Sequence, residues 1–158
     1  MEDKPPSRPA FSPQHWCYGC GELNPESLGI TFEVDGLKVI GRFTGRKEHQ
    51  GFPGVAHGGL AATVMDDAMG WAMYAAGAWA MTARMEVKYR KPVPLEEEVI
   101  VTAEVVRDRG KWLEAVSEIR SASGQRLAEA KGVFVRLPDE IARQYQDAFT
   151  TDEEPARS

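Results

Sequence analysis

Along the chain, hydrophobic and polar positions alternate with a period of two in several stretches and follow a helical pattern in one. The run "GITFEVDGLKVIGRFT" reads as two strands joined across Asp35 and Gly36, a dipeptide that tolerates the positive φ of a tight hairpin turn. The loop "GRKEHQGFPG" leads to a helix from about Gly58 to Ala76. Three alternating runs follow: "MTARMEVKYRKPV", then "EVIVTAEVVRDRGKWLEAVSEIRSA" folded back near Arg109 and Gly110, then "RLAEAKGVFVRL" after a turn at Ser123 and Gly124. In the longest, Val99, Val101, Ala103 and Val105 face one way and Ile100, Thr102, Glu104 and Val106 the other, as in a half-buried strand. The order β-β-α-β-β-β-β predicts an α+β fold, a largely antiparallel six-stranded sheet with one helix packed on a face.

The helix breaks the usual amphipathic rule. From Leu60 to Ala76 its only ionisable groups are Asp66, Asp67 and Tyr74, and Ala, Met and Trp occupy nearly every direction. A helix apolar all round is a buried one. A single sheet covers only one side of it, which predicts a second subunit over the other. Flanking segments lack this patterning: residues 1–14 read as an N-terminal arm, 15–138 as the folded domain, and 139–158 as a short helix, "DEIARQYQDAF", with a frayed tail.

Composition narrows the function classes. The 158 residues are 42% hydrophobic and fit one domain, and a net charge of -5 argues against a general binder of nucleic acid or anionic membrane. No run resembles a signal peptide or reaches the ~20 apolar residues of a membrane span, which places the chain in the cytoplasm. Two cysteines, Cys17 and Cys20, make no disulfide framework. A zinc site would need about four ligands, and beyond His15 none stands nearby; a redox pair should precede a helix in a βαβ setting, which is absent. "CYGCGELNPESLG" therefore reads as a turn-rich lead into the first strand, and no metal is expected.

Three segments, "AHGGLAATVMDDAMG", "MTARMEVKYRKPVPL" and "CYGCGELNPESLGITF", resemble the hotdog-fold acyl-CoA thioesterases, closest to the PaaI-type branch and the related mitochondrial long-chain acyl-CoA thioesterases. The likeness covers roughly residues 16–137. It implies a hotdog fold, a sheet wrapped around the long buried helix, and hydrolysis of acyl-CoA to free acid and CoA without a cofactor, by a homodimer or a homotetramer built as a dimer of dimers. A binding module that senses acyl-CoA without cleaving it is the alternative of another class; a hotdog hydratase fits less well.

Thioester hydrolysis needs an activated water or a nucleophilic carboxylate, and donors aimed at the developing oxyanion. The first N–H groups of a helix are such donors, and Gly58 and Gly59 let a carbonyl come close, or else they only allow a sharp entry into the helix. Gly59 N–H is the candidate donor. Asp66 stands nine residues after His57, the spacing of the motif histidine and the catalytic acid in the PaaI-type enzymes, and would serve as general base or nucleophile. Nine helical residues span ~13 Å, too far for Asp66 to work beside the Gly59 of its own chain. The resemblance resolves this, because antiparallel helices of two subunits set the acid of one opposite the helix start of the other. Asp67 points about 100° away and reads as structural, capping or pairing with a strand group such as Arg84 or Lys88. Thr82 matches a hydroxyl near the attacking water in relatives, although a strand threonine is commonplace; His57 donates to substrate or orients the loop; Gln50 matches an amide position of the family. Arg90 and Lys91 would meet the phosphates of CoA, helped by Lys88, while Arg120 and Arg126 flank a later turn. Met73, with Met69, Trp71, Trp79 and Met81, would line the acyl pocket.

Overall fold

The computed structural model describes residues 10–151. Two short strands, β1 (Ala10–Phe11) and β8 (Thr150–Thr151), pair antiparallel as a ribbon that joins the two ends of this range. Between them lie β2 (Thr31–Asp35), β3 (Lys38–Thr44), α1 (Gly58–Ala75), β4 (Ala80–Tyr89), β5 (Glu98–Asp108), β6 (Trp112–Ser121), β7 (Arg126–Arg136) and α2 (Asp139–Phe149). The six longer strands form one sheet in the order β2-β3-β5-β6-β7-β4, antiparallel at every pairing. The expected hotdog architecture is therefore observed. The first hairpin turns one residue later than the sequence suggests: Asp35 pairs with Lys38, so Gly36 and Leu37 form the loop, with Gly36 at φ 62°.

α1 lies across β5, flanked by β3 and β6. Val64, Met65, Ala68, Met69 and Ala72 are fully buried between it and the sheet, where they meet Val39, Val101, Leu113 and Phe134. Burying a side chain of Met or Val size contributes ~1.5–3 kcal/mol, so this seam holds α1 firmly on the sheet. Gly132 makes room for it: a Cβ there would lie 2.6 Å from the Phe134 ring and 3.0 Å from Met69 Sδ.

The opposite face of α1 is covered unevenly. Over its C-terminal half, Phe11 packs on Trp71 (ring centroids 4.2 Å apart), Tyr74 and Phe149, and Trp79 stacks on Phe149. The ends of the described chain thus supply cover at this half. Of the arm read over 1–14, residues 1–9 lie outside the described residues, as do residues 152–158 of the tail. Over the N-terminal half, no such strap is present among the described residues, and Ala62, Thr63 and Asp66 remain half-exposed. Beside them runs β4, a sheet edge in which Met81 to Arg84 are all exposed. No helix among the described residues is long and apolar enough to cross a membrane.

Candidate active site

β4 carries an irregularity that decides where its side chains point. Its register against β7 shifts between Thr82 and Arg84, leaving Ala83 as an extra residue. With strict alternation, Thr82 would face away from Met85 and Val87. The bulge instead places Thr82 opposite buried Phe134, as Met85 is opposite Gly132, so both face the helix. Thr82 Oγ1 consequently donates a 2.6 Å hydrogen bond to Asp66 Oδ1. The same face of β4 ends at Tyr89, whose Oη donates to the Gly58 carbonyl at 2.6 Å.

At the start of α1, His57 is the N-cap: its Nδ1 accepts the Gly59 N–H at 2.9 Å, and its carbonyl accepts the N–H groups of Leu60 and Ala61. An acceptor Nδ1 is unprotonated, so a neutral His57 carries its hydrogen on Nε2. Gly59 eases this approach, since a Cβ would stand 3.1 Å from Nδ1 and press the ring back by a few tenths of an ångström. The Gly59 amide expected to meet substrate is thus held by the cap in this structure. Gly58 N–H has no acceptor among the described residues.

Two cavities flank this helix start. One of about 340 Å³ is lined by His57, Gly59 and Gln50, with Tyr18 and Thr63. The other, of about 690 Å³, is lined by His57, Gly58, Tyr89, Arg90, Lys91 and Phe52, the last 81% exposed. Gln50 is fixed by the turn that follows it, its Oε1 accepting the Gly54 N–H. Arg90 is paired with Glu129 at 2.8 Å, whereas Lys91 has no ion pair among the described residues. Arg120 and Arg126 are turned toward Glu118, and Arg126 also toward Glu129.

The sequence candidates therefore fall into three places along one helix. His57, Gly58, Gly59, Gln50, Arg90 and Lys91 gather at its start; Asp66 and Thr82 couple farther along its open face and line neither of those two cavities. Met73 lies with Trp71, Trp79 and Met81 on a third cavity of about 250 Å³. Met69 belongs to the sheet-facing core instead, against Gly132.

Asp67 does not pair with Arg84 or Lys88. It turns into the third cavity, where Cys17 Sγ donates to its Oδ1 at 3.5 Å, while its Oδ2 is buried without a partner among the described residues. Burial, chiefly, pushes its carboxyl up to about 8. The Cys17 thiol is held down, first by a hydrogen bond with Cys20 and further by the N–H groups of Cys20 and Gly19. Sequence reasoning missed Tyr89 as a helix-start residue, although it shares the inward parity of Met85 and Val87. It also missed the joining of the cysteine segment to Asp67, which no short-range spacing announces.

The thioesterase superfamily sequence profile matches residues 53–128. Acyl-coenzyme A thioesterase 13 of Homo sapiens is 32% identical over 98 residues, 60% of this chain and 69% of that protein. Acyl-coenzyme A thioesterase THEM4 of Mus musculus is 33% identical over 120 residues, 73% of this chain and 52% of that protein, so the chain spans about half its length. Among solved structures, protein RHA08564, a thioesterase superfamily protein, superposes with a TM-score of 0.70 at 31% identity, covering 73% of this chain and 57% of that one.

Proposed function

Because the chain belongs to the thioesterase superfamily, we propose that it hydrolyses acyl-CoA thioesters at sites shared between two copies of itself. The observation that carries this reading is the 2.6 Å Thr82–Asp66 hydrogen bond, presented on the half-exposed face of α1 beside an open sheet edge. Thr82 occupies Oδ1 and leaves Oδ2 to take a proton from water, so Asp66 acts as general base. The thioester carbonyl lies at the partner's helix start. There it competes with His57 Nδ1 for the Gly59 N–H and meets the Gly58 N–H and the His57 Nε2–H, all at the positive end of the helix dipole. Gly58 and Gly59 admit the carbonyl, Gln50 lines the approach, and Tyr89 steadies the Gly58 peptide. Arg90 and Lys91, on the larger cavity, meet the CoA phosphates. The acyl chain leads toward Met73 and its neighbours.

An assay of thiol release from a panel of acyl-CoA thioesters tests the chemistry. Asp66→Asn is expected to lower kcat by ~10²–10⁴-fold; full activity in that variant, or tight binding without turnover in the native protein, refutes the reading. Mixing tests the sharing. After exchange of subunits between Asp66→Asn and a separate His57→Ala, Gly59→Val variant, half the dimers are hybrids with one intact site of two. About a quarter of native activity should return, whereas a site within one chain would regain none.

A further inference from the structure

The hydrolysis makes no use of Cys17, Cys20 or Asp67, yet their sulfur and oxygen atoms all lie within 4.8 Å of one another. The loop supplies the two thiols and α1 the carboxylate. Gly19 makes the closure possible, since any Cβ there would collide with the Asp67 carboxylate. Trp71 Nε1 donates to Cys20 Sγ at 3.5 Å, a contact that suits sulfur in its anionic form. No lysine or arginine among the described residues lines the adjoining 250 Å³ cavity, so no side-chain cation is present to balance these ligands. Asp67 Oδ2 is buried and unpartnered, a condition with a desolvation cost of ~1–3 kcal/mol that some group should relieve.

We infer that Cys17, Cys20 and Asp67 bind a thiophilic divalent cation, zinc by the chemistry of the donor set, which staples the N-terminal loop to the central helix. Zinc bonds of about 2.3 Å to sulfur and 2.0–2.2 Å to oxygen, set tetrahedrally, put a sulfur and an oxygen ligand roughly 3.5 Å apart. Cys17 Sγ and Asp67 Oδ1 are 3.5 Å apart. His15 stands outside this group: its Nδ1 accepts the Cys17 N–H, and its Nε2, buried without a partner among the described residues, does not come within the same distance of all three donor atoms. The fourth position is left for a water in the cavity.

Protein purified without chelator should carry about one zinc per chain by elemental analysis. After stripping, Co²⁺ should give the thiolate charge-transfer bands and the intense visible bands of a tetrahedral sulfur-ligated ion. Cys17→Ser and Cys20→Ser should each abolish these, and Asp67→Asn should weaken zinc binding by more than the ~10–100-fold typical of a merely supporting residue. Asp66→Asn should keep full stoichiometry, which separates this site from the proposed hydrolytic one. A cobalt spectrum of the aquo ion in the native protein, unchanged cobalt binding in Asp67→Asn, or a Cys17–Cys20 disulfide in protein kept under reductant overturns the inference. The native cobalt spectrum decides even where a variant fails to fold.

Discussion

Replacing Gly19 by alanine tests how the N-terminal loop is seated on α1. Gly19 is buried, and the added Cβ would lie 2.5 Å from Asp67 Cγ and 3.0 Å from Asp67 Cβ. Asp67 has little room to yield, because its neighbours Met65 and Ala68 are fully buried and fix the helix against the sheet. Relief must come from lifting the loop, which loosens the Ile30 N–H to Gly19 carbonyl bond of 3.1 Å and the Cys17–Asp67 contact of 3.5 Å. Overpacking costs ~1–3 kcal/mol and a lost hydrogen bond ~1 kcal/mol, giving about 3 kcal/mol together. For a domain of this size that lowers Tm by roughly 10 °C. Urea denaturation should show a lower midpoint at unchanged slope. The decisive comparison is a double-mutant cycle. In an Asp67→Ala background only the 3.0 Å Cβ contact remains, and the same glycine change should then cost less than about 1 kcal/mol. An equal loss in both backgrounds, or no loss in the native one, refutes the argument that the carboxylate sets this approach.

Thr82→Val keeps the side-chain shape and deletes the donor to Asp66; kcat should fall ~10-fold or more, since a hydrogen bond to a charged group contributes ~1.5–3 kcal/mol, with KM changed far less. Lys91→Ala should raise KM for acyl-CoA and weaken its salt dependence, yet leave hydrolysis of an acyl-pantetheine, which lacks the nucleotide phosphates, unaltered. Stability should fall as pH drops through and below about 6.5. His49 is buried, its Nδ1 accepts the Arg46 N–H at 2.9 Å, and burial first and Arg46 second hold its pKa below the ordinary value against the opposing pull of Glu48. The unfolded chain then binds the proton more readily, so the stabilisation is complete above the unfolded pKa and disappears as pH falls through the folded one. His49→Asn, which retains an acceptor, should lessen that dependence in denaturation midpoints measured from pH 5 to 8, with His15, which burial also holds below its ordinary value, supplying the remainder.

Elements set by local pattern could be read directly. The strand periods, the all-apolar helix and the turns at Gly110 and Gly124, both at positive φ, follow from neighbours a few residues apart. Other features depend on pairings that only the packed chain decides. The bulge at Ala83 is one: "MTARMEVKY" alternates without interruption, so Thr82 reads as facing away from Met85, and only the register against β7 turns it inward. The resemblance, not the pattern, linked Thr82 to Asp66. The β1–β8 ribbon joins segments near opposite ends of the chain, and each is too short to carry a strand signal. Asp67 is structural, as its position on the helix suggests, but its partner is hidden from the sequence for a similar reason. Charge complementarity pointed to Arg84 and Lys88, whereas its partner is a thiol fifty positions earlier in sequence.

The two adjacent aspartates explain each other once the surfaces of α1 are separated. Successive residues diverge by about 100°, so neighbouring carboxylates cannot enter one site. Asp66 emerges where the helix is bare and meets a hydroxyl on an edge strand; Asp67 emerges where the loop of Cys17 covers it, and loses its solvent. One acid is therefore left on the open face, where the proposed substrate and second subunit would reach it, and the other meets the chain's own loop. The same division accounts for the cover on the helix. Phe11, Phe149 and the cysteine loop close over its C-terminal half, and the bare part is the stretch between the His57 cap and Asp66. An antiparallel partner helix placed there would bring each Asp66 toward the opposite helix start, whereas one placed on the strapped half would have to displace the aromatic clasp first.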